Sequence, residues 1–249
     1  AGTDENQIRY GWNYAQLLAK GPSQDALVPT PLYRAMETGK LCRLEELTRM
    51  GSDVQDTLIT VLSEKMMPIP ELNTTLYARR GFNIIATANN RDKGVNELSS
   101  ALKRRFNVVV LPLPDNLDEE VSIVTKRVGE MAIGLDLPMP KNVATEVGRI
   151  VTMFRELREG QTLDGKTALK VPSGTLSTAE AIAVMVGGLS QAAFFSNGTL
   201  NADGIAPNIL GAVLKDPVQD KAVLAEYLET VVKKRRDYAD YYSVLTEIL

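Results

Sequence analysis

Residues 82–90 read FNIIATANN: an apolar run rich in β-branched side chains that turns abruptly polar at Thr87, Asn89 and Asn90. Such a run predicts a buried strand whose polar end delivers amide side chains to one edge of a sheet. Upstream, KLCRL (40–44) reads as a short strand that ends in the adjacent carboxylates Glu45 and Glu46. Between the two, DVQDTLITVLSEKM (53–66) sets Val54, Leu58, Val61 and Leu62 on one helical face, with Ser52 or Asp53 as N-cap. MPIPELNTTLYARRG (67–81) follows as a hairpin or insert carrying two prolines. Downstream, VNELSSALKRRF (95–106) predicts a helix, and NVVVLPLP (107–114) a second apolar strand closed by prolines. Strand, helix, hairpin, strand, helix, strand is the alternation of an α/β layer with a largely parallel sheet.

The flanks differ in kind. Residues 7–20 are mixed and partly helical in period, 21–32 read as a loop through Gly21, Pro22, Pro29 and Pro31, and PLYRAMETG (31–39) predicts a short helix stopped by Gly39. Beyond Pro114 strand signals cease, and helices are expected over 117–131, 141–158, 174–195, 201–214 and 220–247. The shift at 114–118 divides the chain into an α/β part, 1–115, and an all-α part, 116–249.

Composition narrows the chemistry. The 249 residues carry 28 Lys+Arg against 31 Asp+Glu, a net charge of −3, which argues against a general nucleic-acid binder because phosphate neutralisation needs a cationic face. There is no His, which removes Ser-His-Asp hydrolysis and most zinc sites. Any reaction rests on carboxylates, Arg, Lys and amides. The one cysteine, Cys42, forms no internal disulfide, so nothing points to an oxidising compartment, and a cytoplasmic location is expected. No apolar run approaches the roughly 20 residues that span a bilayer.

Three groups of residues carry candidate chemistry. An acidic pair at a strand's carboxyl end, Glu45-Glu46, stands where parallel sheets bind ligands; one carboxylate there can hold Mg²⁺ and the next can polarise water. Asn89, at the polar end of 82–90, can hold a water or phosphate oxygen without adding charge. Lys103-Arg104-Arg105 closes a helix, where cations complement the macrodipole and where an arginine can also reach a neighbouring subunit's nucleotide. Taken singly, each reads more simply as a solvated loop, a turn or a helix end.

Together they resemble the MoxR-type AAA+ ATPases. GKLCRLEELTR looks like that family's Walker B strand and following turn, DVQDTLITVLSEKMMPIPELN like the next helix and hairpin insert, and FNIIATANNRDKGVNELSSALKRRF like the sensor 1 strand and the helix ending in the arginine finger. The resemblance implies a P-loop NTPase AAA+ core with a parallel sheet, followed by an α-helical lid. It implies that Glu46 activates water, that Glu45, where the family usually has Asp, assists Mg²⁺, and that Asn89 is the sensor 1 residue. It implies that Arg105 of the Arg105-Phe106 pair is the finger, with Arg104 the other candidate. The implied activity is ATP hydrolysis driving the remodelling of a partner protein, with ATP and Mg²⁺, in a homo-oligomeric ring, typically a hexamer, beside a protein with a von Willebrand A domain.

Two departures are visible. No G-x-x-x-x-G-K-[ST] phosphate loop occurs in these residues. Because that loop lies upstream of every matched motif in the family, the expectation is an N-terminally incomplete core that leaves apolar sheet surface exposed and lacks turnover by itself. At sensor 2, within PSGTLSTAEAIAVM (172–185), Ala179 or Glu180 stands where the family has Arg, with Ser177 or Thr178 as N-cap and Lys166 or Lys170 as possible substitutes. A non-hydrolysing AAA+-derived scaffold and a DNA-directed motor are the rival readings; the acidic charge argues against the second.

Overall fold

A computed structural model describes residues 5–89 and 98–249. The chain forms two compact units, 1–110 and 111–249.

In the first unit, α1 (Glu5–Ile8), β1 (Tyr10–Trp12), α2 (Tyr14–Lys20) and β2 (Leu27–Pro29) precede α3 (Pro31–Thr38). The 21–32 stretch is therefore not wholly loop, since Leu27–Pro29 pairs antiparallel with Tyr10–Trp12. Helix α3 starts where Thr30 Oγ1 accepts the Tyr33 N–H at 3.2 Å, with Pro31 at the first position. It stops at Gly39, which is left-handed (φ 69°), with Lys40 N–H closing back onto Ala35 O at 2.9 Å. A Cβ at Gly39 would lie 2.5 Å from the Arg80 carbonyl oxygen, so this close crossing needs glycine on two counts.

β3 (Leu41–Leu44) pairs in parallel with β6 (Asn83–Ala86), Leu41 opposite Asn83 and Leu44 opposite Ala86. Between them run α4 (Ser52–Glu64) and the hairpin β4 (Met66–Ile69)–β5 (Thr74–Tyr77). α4 begins one residue earlier than expected, with Gly51 as its N-cap and no side-chain cap bond. The parallel pair is buried on one face only: Cys42, Leu44 and Ile84 join Leu58, Val61 and Leu102 in the core, while Leu41, Arg43 and Ile85 face outward. That alternation corrects the expectation of a fully buried strand and accounts for Arg43, whose charge lies on the open face paired with Glu45.

Downstream the expected helix shortens to α5 (Ser100–Lys103), capped by the Ser99 hydroxyl; 95–97 lie outside the described residues. The strand expected at 107–114 does not form. Val108, Val109 and Val110 are 68%, 78% and 80% exposed, because apolar β-branched residues make a strand only where a neighbouring edge completes the ladder.

The second unit is helical: α6 (Leu117–Gly134), α7 (Val143–Glu159), α8 (Thr178–Phe195), α9 (Ala202–Val213), α10 (Gln219–Thr230) and α11 (Ala239–Ile248). Its core draws on every helix, with Val128, Ile150, Phe154, Met185, Ile205, Tyr227 and Tyr241 enclosed. Among the described residues α8 is the one helix long and apolar enough to cross a membrane by length and composition, yet Ala181, Val184, Met185, Gly188 and Leu189 are buried in this core. Gly188 lets α9 close in: a Cβ there would sit 2.7 Å from Ile205 Cγ1.

The single helix expected over 220–247 is instead α10 and α11 separated by two 3₁₀ turns, Val232–Lys234 and Arg236–Tyr238. The break leaves Arg235 extended, and its guanidinium donates to Glu156 at 2.6 and 3.0 Å. Glu156 is fully buried and also accepts the Tyr227 hydroxyl at 2.6 Å. A buried carboxylate needs such partners, and Arg235 supplies the compensating charge.

Candidate active site

The site is built where β3 and β6 end together. The parallel ladder runs one step past both strands: Thr87 N–H donates to Leu44 O at 2.9 Å and Leu47 N–H to Thr87 O at 2.8 Å. Between these bonds the chain turns sharply at Glu46, which is left-handed (φ 52°, ψ 51°), a region that non-glycine residues seldom occupy. A 3₁₀ turn, Leu47–Arg49, follows and buries Leu47 and Thr48.

The two carboxylates take different partners. Glu45 Oε2 accepts the Thr87 hydroxyl at 2.6 Å, and its other oxygen pairs with Arg43 on the open face of β3. The Thr87 hydroxyl first, and Arg43 with it, hold the Glu45 carboxyl below its usual range. Glu46 Oε2 meets Arg49 Nε at 2.7 Å, while the Glu46 N–H donates to Thr87 Oγ1 at 3.2 Å. Asn89 lies three residues past the end of β6 with its side chain exposed; Asn90 is outside the described residues.

Arg104 and Arg105 lie elsewhere in the same unit. Arg105 Nη1 donates to Ala101 O at 2.6 Å and its Nε to the Ser63 hydroxyl, and Arg104 Nε donates to Ser100 O at 3.2 Å. Both line an open cleft of ≈ 500 Å³ along β6, with Asn83, Ile85, Phe106 and Val109, whose lining includes neither Glu45 nor Glu46. The structure thus brings Glu45, Glu46 and the approach to Asn89 to one sheet end and sets the arginines along the open strand edge.

Among the described residues no three His, Cys, Asp or Glu side chains cluster as a metal cage. Mg²⁺ does not need one, since it is usually held by one or two carboxylates together with phosphate oxygens and water. The exposed all-oxygen pair Glu45 and Glu46, with Glu45 kept ionised, fits that requirement.

In the second unit, the segment that the resemblance sets at sensor 2 forms a helix cap. Ser177 is the N-cap of α8, and Glu180 accepts the Ser177 N–H at 2.8 Å in a capping box. Lys166 and Lys170 are exposed, paired with Asp164 and, at 2.5 Å, with Glu226. Sequence reasoning missed Thr87, whose hydroxyl ties the Glu45 carboxylate to the Glu46 backbone; its only mark in the sequence is a hydroxyl at the point where FNIIATANN turns polar.

Comparison with known proteins places these features in a family. A family model described as an AAA domain of the dynein-related subfamily matches residues 1–106, and one described as the YehL-like AAA+ ATPase C-terminal domain matches residues 118–245. The chain is 41% identical over 240 residues to the uncharacterized protein YehL of Escherichia coli (strain K12), covering 95% of this chain and 66% of that protein. It therefore spans just under two thirds of that relative's length. Among solved structures, NtrX from Brucella abortus in complex with ADP aligns over 82% of this chain and 44% of its own, at 14% identity and a TM-score of 0.45. With residues 118–245, just over half of the chain, matched by the YehL-like AAA+ ATPase C-terminal model and 1–106 by the dynein-related AAA one, the chain belongs to the AAA+ ATPase family.

Proposed function

We propose that this chain supplies the hydrolytic half of an ATP site in a MoxR-type AAA+ ATPase, with 1–115 as the core and 116–249 as the lid. The observation that carries the reading is the pair Glu45-Glu46 at the joint carboxyl end of parallel strands β3 and β6, with Glu46 locked in a left-handed turn. Glu46 orients and deprotonates the water that attacks the γ-phosphate, and Asn89 holds that water or a phosphate oxygen. Glu45 is the carboxylate offered to Mg²⁺. Bound Mg²⁺ supplies charge neutralisation on the phosphates.

Arg105, with Arg104 beside it, acts on the site of the next protomer. Their distance in the fold from Glu45 and Glu46 supports a role in trans within a homo-oligomeric ring, taken as a hexamer. The open edge of β6 and the exposed Val108–Val110 support a core completed by a further strand, the one that carries the phosphate loop in this fold. This chain by itself is then without turnover. Remodelling of a partner protein, in company with a von Willebrand A domain protein in the cytoplasm, completes the reading. The capping Glu180 at the sensor 2 position favours a second reading, a scaffold that assembles without hydrolysis.

The test is Mg-ATP turnover by the whole natural protein that carries this chain, beside its Glu46→Gln variant. Turnover lost in the variant with nucleotide still bound is the expected result. Absence of both turnover and binding in the unmodified protein favours the scaffold.

A further inference from the structure

We propose that Thr87 is the positioning residue of this site, its one hydroxyl holding both carboxylate residues in their working geometry. The inference rests on the ATP-hydrolysing reading above. A threonine hydroxyl has one proton to donate and two lone pairs. Here the proton goes to Glu45 Oε2 at 2.6 Å and a lone pair receives the Glu46 N–H at 3.2 Å. Donation to a carboxylate polarises the O–H and makes its oxygen the better acceptor, so the two bonds reinforce each other.

The geometry that depends on them is unusual. In a continuing strand Glu45 and Glu46 would project from opposite faces. The left-handed turn at Glu46 ends that alternation, sending Glu45 to Thr87 and Arg43 and Glu46 to Arg49. A non-glycine residue stays in this conformation only where its surroundings over-determine it. Three bonds do so: Glu46 N–H to Thr87 Oγ1, Leu47 N–H to Thr87 O at 2.8 Å, and Arg49 N–H to Glu46 O at 2.8 Å. Two of the three end on Thr87. Because the hydroxyl is neutral it orients the Glu45 carboxylate and the Glu46 backbone without changing the charge at the phosphate site. Thr87 also follows directly on β6, two residues before Asn89, so one side chain ties the acidic turn to the segment of the amide expected to hold the attacked phosphate.

Thr87→Val keeps the side-chain shape and removes the hydroxyl, while Thr87→Ser keeps the hydroxyl. Two measurements are made on the whole natural protein: steady-state Mg-ATP turnover, and amide hydrogen exchange at Glu46 and Leu47. In Thr87→Val, kcat falls about 10- to 100-fold with KM changed less than about 3-fold, as for a misplaced catalytic group. Protection of the Glu46 amide is lost while that of Leu47, bonded to the Thr87 carbonyl, persists and reports an intact fold. Thr87→Ser restores both. Unchanged Glu46 exchange or unchanged kcat in Thr87→Val overturns the proposal, and so does a Thr87→Ser variant as impaired as Thr87→Val. An unmodified protein without turnover overturns the ATP reading instead, while the exchange measurement still reports on the Thr87 clasp.

Discussion

Asp220 offers a quantitative test of how the helical unit is held together. Its carboxylate is fully buried and accepts four bonds: Ser173 N–H on Oδ1 at 2.7 Å, and on Oδ2 the Ser173 hydroxyl at 2.7 Å, Lys215 N–H at 2.8 Å and Asp216 N–H at 2.7 Å. It thereby ties the segment before α8 to the turn between α9 and α10. Asp220→Asn keeps the shape and removes the charge. The best orientation of the amide keeps its oxygen on the three-donor side and turns its NH₂ against the Ser173 N–H. That part-buried donor, left facing the NH₂, costs about 1–3 kcal/mol, and each remaining bond, no longer charge-assisted, weakens by about 1 kcal/mol. Together the loss is about 4–6 kcal/mol, much of the 5–15 kcal/mol typical of a domain.

Native-state hydrogen exchange at Ser173, Lys215 and Asp216 reads this locally, which suits a chain of two units for which one global unfolding transition is not assured. The acid response follows the same carboxyl. Burial pushes its pKa up, but the donors from Ser173, Asp216 and Lys215 outweigh it and leave the group below its ordinary value. A depressed folded-state pKa means that its stabilisation is present above the unfolded value of about 3.9 and is lost as the pH falls through the lower folded one. Protection at Ser173 is therefore level from pH 7 to about 5 and declines in stronger acid, a decline that Asp220→Asn lacks. A loss under about 1 kcal/mol in that variant would show that the four-donor cage does not exist in solution.

Two further substitutions probe the first unit. Gly39→Ala places a Cβ at φ 69° and 2.5 Å from Arg80 O, and lowers stability by about 2–4 kcal/mol. Urea unfolding followed by the single tryptophan, Trp12, measures it, and a change within about 0.5 kcal/mol would contradict the close crossing. Arg105→Ala in the whole protein lowers turnover by about 10³-fold or more while leaving nucleotide affinity unchanged. Lost binding, or a larger effect from Arg104→Ala, reassigns the finger.

Much of this molecule is readable before it folds. The helix over 31–38 is legible from PLYRAMET and its stop at Gly39, because caps act within a few residues of chain. The hairpin and the N-cap of α8, read as Ser177 or Thr178 and found at Ser177, are local in the same sense, as is the apolar pattern of each strand at 41–44 and 83–86, though not their pairing. At the site, the identity of Glu45, Glu46 and Asn89 as candidates followed from two strand ends meeting at one sheet edge. Their partners did not, since Thr87 lies 41 residues from Glu46 and only pairing of the strands brings it there.

What the sequence determined by itself is what short-range physics governs: hydrophobic period, caps, turns, and the absence of His that leaves carboxylates and arginines as the available chemistry. The tertiary structure decided the rest. It made 107–110 exposed chain rather than strand, because a strand is a property of two edges and not of one run of valines. It broke the last predicted helix so that Arg235 could meet a carboxylate 79 residues away. And it turned Glu46 left-handed, because bonds from a neighbouring strand outweigh the preference of an isolated glutamate for another backbone conformation.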